Sequence, residues 1–169
     1  MTGNQKTVLT GAISGIATMA LLVWVLSTVI APPNVADTAE RIAYALKWAV
    51  VAAIPLFAML AVVGNQRFLG EAIDPTLGKE SQRMVVDGRV ADNTLQQLVV
   101  FVIALLGLSV LLPARDLGVV PAVTITFVIA RLAFWIGYRI HPLRRAAGFA
   151  ATAYLNLGLL IANLWLWAR

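Results

Sequence analysis

The sequence predicts an all-α integral membrane protein, and three observations carry that reading. Hydrophobic residues make up 60% of the 169 positions and charged residues only 12%. Mean hydropathy is +0.85, and the apolar residues fall into runs of about 20, the length of helix that crosses a hydrocarbon core. A water-soluble globule of this size would need more polar surface than the chain has. The runs are apolar on every face, whereas barrel strands alternate over about ten residues, so helices are expected.

Five spans follow in order, at 8–30, 42–63, 90–112, 119–138 and 146–167. The first exceeds the apolar stretch of a cleaved secretion signal, and Pro32-Pro33 reads as the stop of a true span. Pro55 and Pro121 are read as local kinks in the second and fourth. The stretch 64–88 carries Gly70, Asp74-Pro75, Gly78 and Gly88, and reads as a polar loop. In the last span Thr152, Asn156 and Asn163 share a face and are read as interhelical hydrogen-bonding contacts.

Positive charge sets the expected orientation, because Lys and Arg are retained on the cytoplasmic side. Lys6, Arg67, Lys79, Arg83, Arg89, Arg139, Arg144 and Arg145 fall on one side, against Arg41, Lys47, Arg115 and Arg169 on the other. The N-terminus is therefore expected in the cytoplasm and the C-terminus outside. The net charge of +5 is spread through short connections, without a basic helix interleaved with aromatics, so nucleic acid is not an expected partner. Zero cysteines exclude disulfides, thiolate metal ligands and a cysteine nucleophile. The lone His141 leaves no metal site and reads as a titrating surface residue.

One charge lies inside a span. Arg131 is seven residues before Tyr138, hence roughly 10 Å deeper in the membrane. An arginine at that depth costs about 2.5 to 3.5 kcal/mol on insertion scales and must face protein, water or an anion. Two readings stand: it ties helices together through backbone carbonyls or Asp92, or it faces a ligand. Arg89, Asn93 and Gln96 recur at i, i+4 and i+7 on the third span, at the depth of the Arg131 and Tyr138 stripe. With Arg144 and Arg145 nearby, these residues outline a cationic pocket suited to a small anionic ligand rich in hydrogen-bonding groups. Arg139 and Arg145 are equally explained as topology markers.

The segments Arg89-Val-Ala-Asp-Asn93-Thr-Leu-Gln96 and Ala130-Arg131-Leu-Ala-Phe-Trp-Ile-Gly137-Tyr138, followed by Pro142-Leu-Arg144-Arg-Ala-Ala-Gly148-Phe149, resemble the MAPEG family, the membrane-associated proteins in eicosanoid and glutathione metabolism. That family carries R-x3-N-x2-E at the start of its second helix and R-x6-Y at the end of its third. The resemblance covers 43–169. It implies a four-helix bundle, here 42–169, with one additional N-terminal transmembrane helix, here 1–41. The extra helix and the Phe-Trp-Ile-Gly-Tyr run look most like the mattrin-like branch and its bacterial relatives, which implies a multi-pass protein of a bacterial inner membrane.

The resemblance further implies a homotrimer surrounded by lipid, glutathione as cofactor and no metal. Arg89, Asn93, Gln96, Arg131 and Tyr138 become the expected glutathione-binding residues, with Arg144 and Tyr138 as the expected catalytic pair. Arg144 would stabilise the thiolate and Tyr138 would hydrogen-bond the ligand or its sulfur. The expected activity is that of a glutathione transferase or peroxidase acting on a lipophilic small-molecule substrate. Three positions depart from the family: Gln96 stands in place of Glu, and Asp92 and Phe134 stand where several catalytic members carry Arg and His. The alternative is a non-catalytic bundle that binds lipid or organises partners.

Overall fold

The computed structural model describes residues 1–35 and 37–169. Its described residues form five long helices: α1 (Gly3–Val29), α2 (Thr38–Leu69), α3 (Gln82–Leu111), α4 (Val119–Ile140) and α5 (Ala146–Trp167). All five are long and apolar enough to cross a membrane, so the protein is an all-helical, multi-pass membrane bundle.

The first three helices start where the sequence supplies a side-chain cap. Thr2 and Gln5 form a reciprocal capping box on α1, with the Gln5 amide donating to Thr2 Oγ1 at 3.3 Å and the Thr2 amide donating to Gln5 Oε1 at 2.8 Å. Asp37 accepts from the Glu40 amide at the start of α2, and Ser81 from the Met84 amide at the start of α3. α1 stops at Val29, shortly before Pro32-Pro33. Pro55 sits inside α2 and is buried there. Pro121 lies in the first turn of α4, where its missing N–H leaves no helical bond broken.

The 64–88 stretch is a loop only in its centre. α2 continues through Leu69 and α3 already begins at Gln82, leaving 70–81 as the connection, with a 3-10 turn at Pro75–Leu77. A hydropathy reading sees only the hydrocarbon-filling part of a helix. α2 has 32 residues, about 48 Å at 1.5 Å per residue, well beyond a hydrocarbon core of about 30 Å. The protruding turns are tied to α3 and to the connection before it by two polar contacts: Gln66 Nε2 donates to Asp87 at 2.9 Å and Arg67 to Glu80 at 2.8 Å. In the loop, the hydroxyl and amide of Thr76 both donate to Asp74 and hold its carboxyl below its ordinary range.

α4 is the centre of the bundle and touches the other four long helices. Phe101 and Phe127 stack at 4.3 Å between α3 and α4, among Leu98, Leu105, Val123 and Leu155. Membrane helices gain no hydrophobic drive from meeting each other, so close backbone approach and polar contacts hold them together. Gly15 shows the first device: a Cβ there would overlap the Ala147 carbonyl, so α1 and α5 touch backbone to backbone. Gly148 does the same for α5 against the Ala130 carbonyl and Phe134 amide of α4.

Asn156 and Asn163 show the second. Asn156 Nδ2 donates to the backbone and side-chain oxygens of Gln97 at 3.0 and 2.9 Å, and Asn163 Nδ2 to the Ala104 carbonyl at 2.9 Å. Thr152 departs from the interhelical role expected of it, since its hydroxyl donates to Gly148 in its own helix at 2.8 Å. At the far end, Arg41 donates to the Leu112 carbonyl at 2.7 Å, a cation on the last turn of α3.

Candidate functional site

Two buried charges lie close to the end of the bundle that holds the N-terminus, one on α3 and one on α4. Arg131 of α4 has no exposed surface. One guanidinium nitrogen, Nη1, donates to Asn93 Oδ1 at 3.0 Å. Its central carbon lies 4.2 Å from the centroid of the Phe134 ring, a cation–π contact. Nε and Nη2 are buried without a hydrogen-bond partner among the described residues. A buried guanidinium with unmade bonds carries a desolvation cost that protein contacts have not offset.

Asn93 and Phe134, the two residues that contact Arg131, line a groove of about 650 Å³. Its walls are Val8 and Ala12 of α1, Arg89 and Asn93 of α3, Phe134 and Tyr138 of α4, Pro142, Leu143 and Arg145 of the α4–α5 turn, and Ala146, Phe149, Ala150 and Tyr154 of α5. Arg145 stands over the Tyr138 ring at 4.7 Å. The volume lies within the 300–1,000 Å³ typical of small-molecule sites. Two guanidinium groups, an amide and two phenols line it, and there is no carboxylate among the residues lining it.

The structure therefore brings Arg89, Asn93 and Tyr138 to one groove, whereas Arg131 does not line it and touches it through Asn93 and Phe134. Two of the residues expected there are elsewhere. Gln96 is exposed on the outer side of α3; one turn deeper than Asn93 it is Gln97 that turns toward α5, held by Asn156. Arg144 is exposed and does not line the groove, whereas Arg145 does. The 3-10 turn at Pro142–Arg145, capped by His141 Nδ1 accepting from the Leu143 amide at 3.2 Å, decides which of the two adjacent arginines faces inward. Arg131 pairs with Asn93 rather than Asp92, because successive helical residues point about 100° apart and Asp92 is turned outward.

The second buried charge escaped sequence reasoning. Asp87 of α3 has no exposed surface. It accepts from Arg139 Nε and Nη2 at 2.7 Å each, from Trp135 Nε1 at 2.7 Å and from Gln66 Nε2 at 2.9 Å. Arg139 also lies over the Trp135 ring at 4.6 Å. This cluster ties α2, α3 and α4 together, so Arg139 is a structural clamp and more than a marker of topology. The available signal was an aspartate close to an apolar run, with Trp135 and Arg139 at i and i+4 on α4. Among the described residues, no three His, Cys, Asp or Glu side chains come together to hold a metal ion.

The MAPEG family model matches residues 45–165, from early α2 to the end of α5, and leaves α1 outside. The chain is 26% identical over 133 residues to transmembrane protein 79 of Mus musculus, covering 79% of this chain and 34% of that protein. The Bos taurus transmembrane protein 79 is 24% identical over 133 residues, covering 79% and 33%. The chain thus spans about a third of the length of these relatives. No solved structure gives a significant match.

Proposed function

This chain belongs to the MAPEG family, and we propose that it is a membrane-embedded glutathione-binding protein that transfers the glutathione thiol to lipophilic electrophiles. The observation that supports the proposal is the buried Arg131, with two nitrogens unpartnered among the described residues, bonded to Asn93 of a groove that Arg89, Tyr138 and Arg145 also line. Glutathione has two carboxylates, an ammonium and a thiol. The donor set fits its anionic groups: guanidinium forks suit carboxylates, and the amide and phenol fix orientation. The ammonium finds no carboxylate among the lining residues, and Gln96, where the family has Glu, faces away.

Bound there, glutathione supplies the sulfur nucleophile, which this cysteine-free chain lacks. Arg89 and Arg145 would hold carboxylates and Asn93 would orient the backbone of the tripeptide, with Arg131, bonded to Asn93, offering its free N–H groups to a ligand that reaches past that side chain. Tyr138 would donate a hydrogen bond to the sulfur, and Arg145 over its ring would favour negative charge there. The role that resemblance assigned to Arg144 thereby passes to Arg145. In conjugate addition the thiol would give its proton to water, an S–C bond would form at the electrophile's β-carbon as the double-bond pair moves to the α-carbon, and that carbon would take a proton back from water.

The assembly we propose is a homotrimer. Asp92 and Gln96 stand exposed on α3 beside Leu95, Val99 and Ile103. Polar groups on a lipid-facing span are costly, and a neighbouring copy covers them. Residues 42–169 are then the family core and 1–41 an added helix. The mattrin-like assignment rests on that helix and on the similarity to transmembrane protein 79. A bacterial inner membrane, with the N-terminus cytoplasmic, follows from the resemblance to bacterial relatives of that branch and from the Lys and Arg distribution.

The test is the thermal midpoint of the purified protein in millimolar glutathione, since a ligand that binds the folded state raises it. We expect an upward shift, together with turnover of a standard thiol-accepting electrophile, and loss of both in Arg131→Leu. Absence of a shift in the wild type would favour the alternative, a non-catalytic bundle that binds lipid or organises partners.

A further inference from the structure

A second groove, of about 680 Å³, opens between the start of α3 and the end of α4. Gln82, Arg83 and Val86 line it from α3, and Ile136, Arg139 and Ile140 from α4. None of these residues lines the first groove, and Ile136 points about 200° around α4 from Phe134, so the two open on different faces of the bundle. There is no carboxylate among the lining residues. Arg139 commits Nε and Nη2 to Asp87 at 2.7 Å each. Its Nη1 makes no hydrogen bond among the described residues, and 27% of its side chain is exposed. Arg83 is exposed and takes part in none of the ion pairs formed among the described residues.

The groove sits at a membrane boundary. α4 has 22 residues, about 33 Å at 1.5 Å per residue, close to a hydrocarbon core of about 30 Å. Arg139 is its penultimate residue, and Gln82 and Arg83 are the first two of α3. From Arg139 toward the middle of the membrane run Ile136, Leu132 and Ile129, all exposed and spaced by three or four residues along one strip of α4. We infer that this groove binds an anionic phospholipid, whose phosphate bridges Arg83 and Arg139 Nη1 and whose acyl chain lies along Ile136, Leu132 and Ile129. Guanidinium groups suit phosphate oxygens, and basic pockets between membrane helices hold such head groups. The inference stands on this geometry and is independent of the glutathione reading.

Occupied in this way, the site adds an anion to the Asp87 cluster. Arg139 holds Asp87 with one edge of its guanidinium and the phosphate with the other. Since Asp87 also takes bonds from Gln66 and Trp135, the lipid reinforces the clamp on α2, α3 and α4 and acts as a structural component, not as a substrate. Inorganic phosphate satisfies the guanidinium groups but gains nothing from the isoleucine strip. A zwitterionic lipid covers the strip, but its ammonium offsets the charge of its phosphate.

The test titrates the full-length protein in neutral detergent with dioleoylphosphatidylglycerol and follows its thermal midpoint. A saturable rise is expected, unmatched by dioleoylphosphatidylcholine or by inorganic phosphate at the same concentration. Arg83→Gln leaves the Asp87 clamp intact and should raise the half-saturating lipid concentration about tenfold, the loss of one charge-assisted contact. Its lipid-free midpoint and its response to glutathione should stay at wild-type values. Arg144→Gln removes the same charge from the same end of the bundle and should leave the titration unchanged. Equal shifts with phosphatidylcholine would overturn the inference in favour of boundary lipid, and equal shifts with inorganic phosphate in favour of a soluble anion. An Arg83→Gln titration identical to the wild type would overturn it as well. So would a smaller oligomer in lipid-free Arg83→Gln, because a second copy of the chain would then be what covers the groove.

Discussion

Asp87 and Arg131 are both completely buried, yet their surroundings are opposite. Asp87 accepts four hydrogen bonds from three side chains, two of them the parallel fork of Arg139. Arg131, with five N–H donors to satisfy, places one hydrogen bond on Asn93 and leaves Nε and Nη2 without partners. One charge is closed by the protein, and the other keeps unmade bonds among the described residues next to Asn93, which lines a groove. A closed buried pair is what a bundle needs to fix the register of three helices, whereas an open one is stable only if something else completes it. The difference separates a structural charge from a binding charge without reference to conservation.

Four substitutions, with a fifth, Arg144→Ala, as a control, break or sharpen this contrast. The largest effect is expected from Asp87→Ala, which strands Arg139, Trp135 and Gln66; stability should fall by about 3 kcal/mol, the lower end of the usual range because Arg139 keeps 27% of its side chain exposed. Denaturant or thermal unfolding in detergent would measure it. Arg131→Leu should behave in the opposite sense, changing unliganded stability by less than about 1 kcal/mol or raising it, while abolishing the glutathione-induced midpoint shift. A loss as large as that of Asp87→Ala would make Arg131 structural.

Arg145→Ala removes a cation facing the groove and should weaken glutathione binding about tenfold, in line with one charge-assisted hydrogen bond. Arg144→Ala should leave that affinity unchanged, and titration calorimetry on the pair separates the two adjacent arginines. The smallest effect is expected from Trp135→Phe, which deletes a single bond to Asp87 and should cost about 1 kcal/mol with glutathione binding intact.

The spans were legible because charge is nearly absent from five apolar runs, and Arg131 stood out as the exception within them. Arg89 and Asn93 were legible because a helix puts i and i+4 on one face. The same rule misplaced Gln96, since a stripe tells which residues share a face but not how far along the helix a neighbouring groove follows it. The ends of α2 and α3 were hidden because Gln66, Arg67 and Asp87 look like loop residues until their partners are known. Asp87 and Arg139 are 52 positions apart, and no local pattern links them. The choice between Arg144 and Arg145 belongs to the geometry of one 3-10 turn. The first groove depends on α1 lying against α5, set by backbone contact at Gly15; the Gly11-Ala-Ile-Ser-Gly15 spacing is its signal in the sequence.

The central claim is that Arg131 is completed by an anionic ligand in the groove. A structure of the protein in nanodiscs with millimolar glutathione tests it most directly. The account predicts density between Arg89, Asn93, Tyr138 and Arg145 with a hydrogen-bond acceptor within 3.2 Å of Arg131 Nε or Nη2, the usual limit for such bonds. An empty groove, with Arg131 closed onto Asp92 or backbone carbonyls, would contradict it.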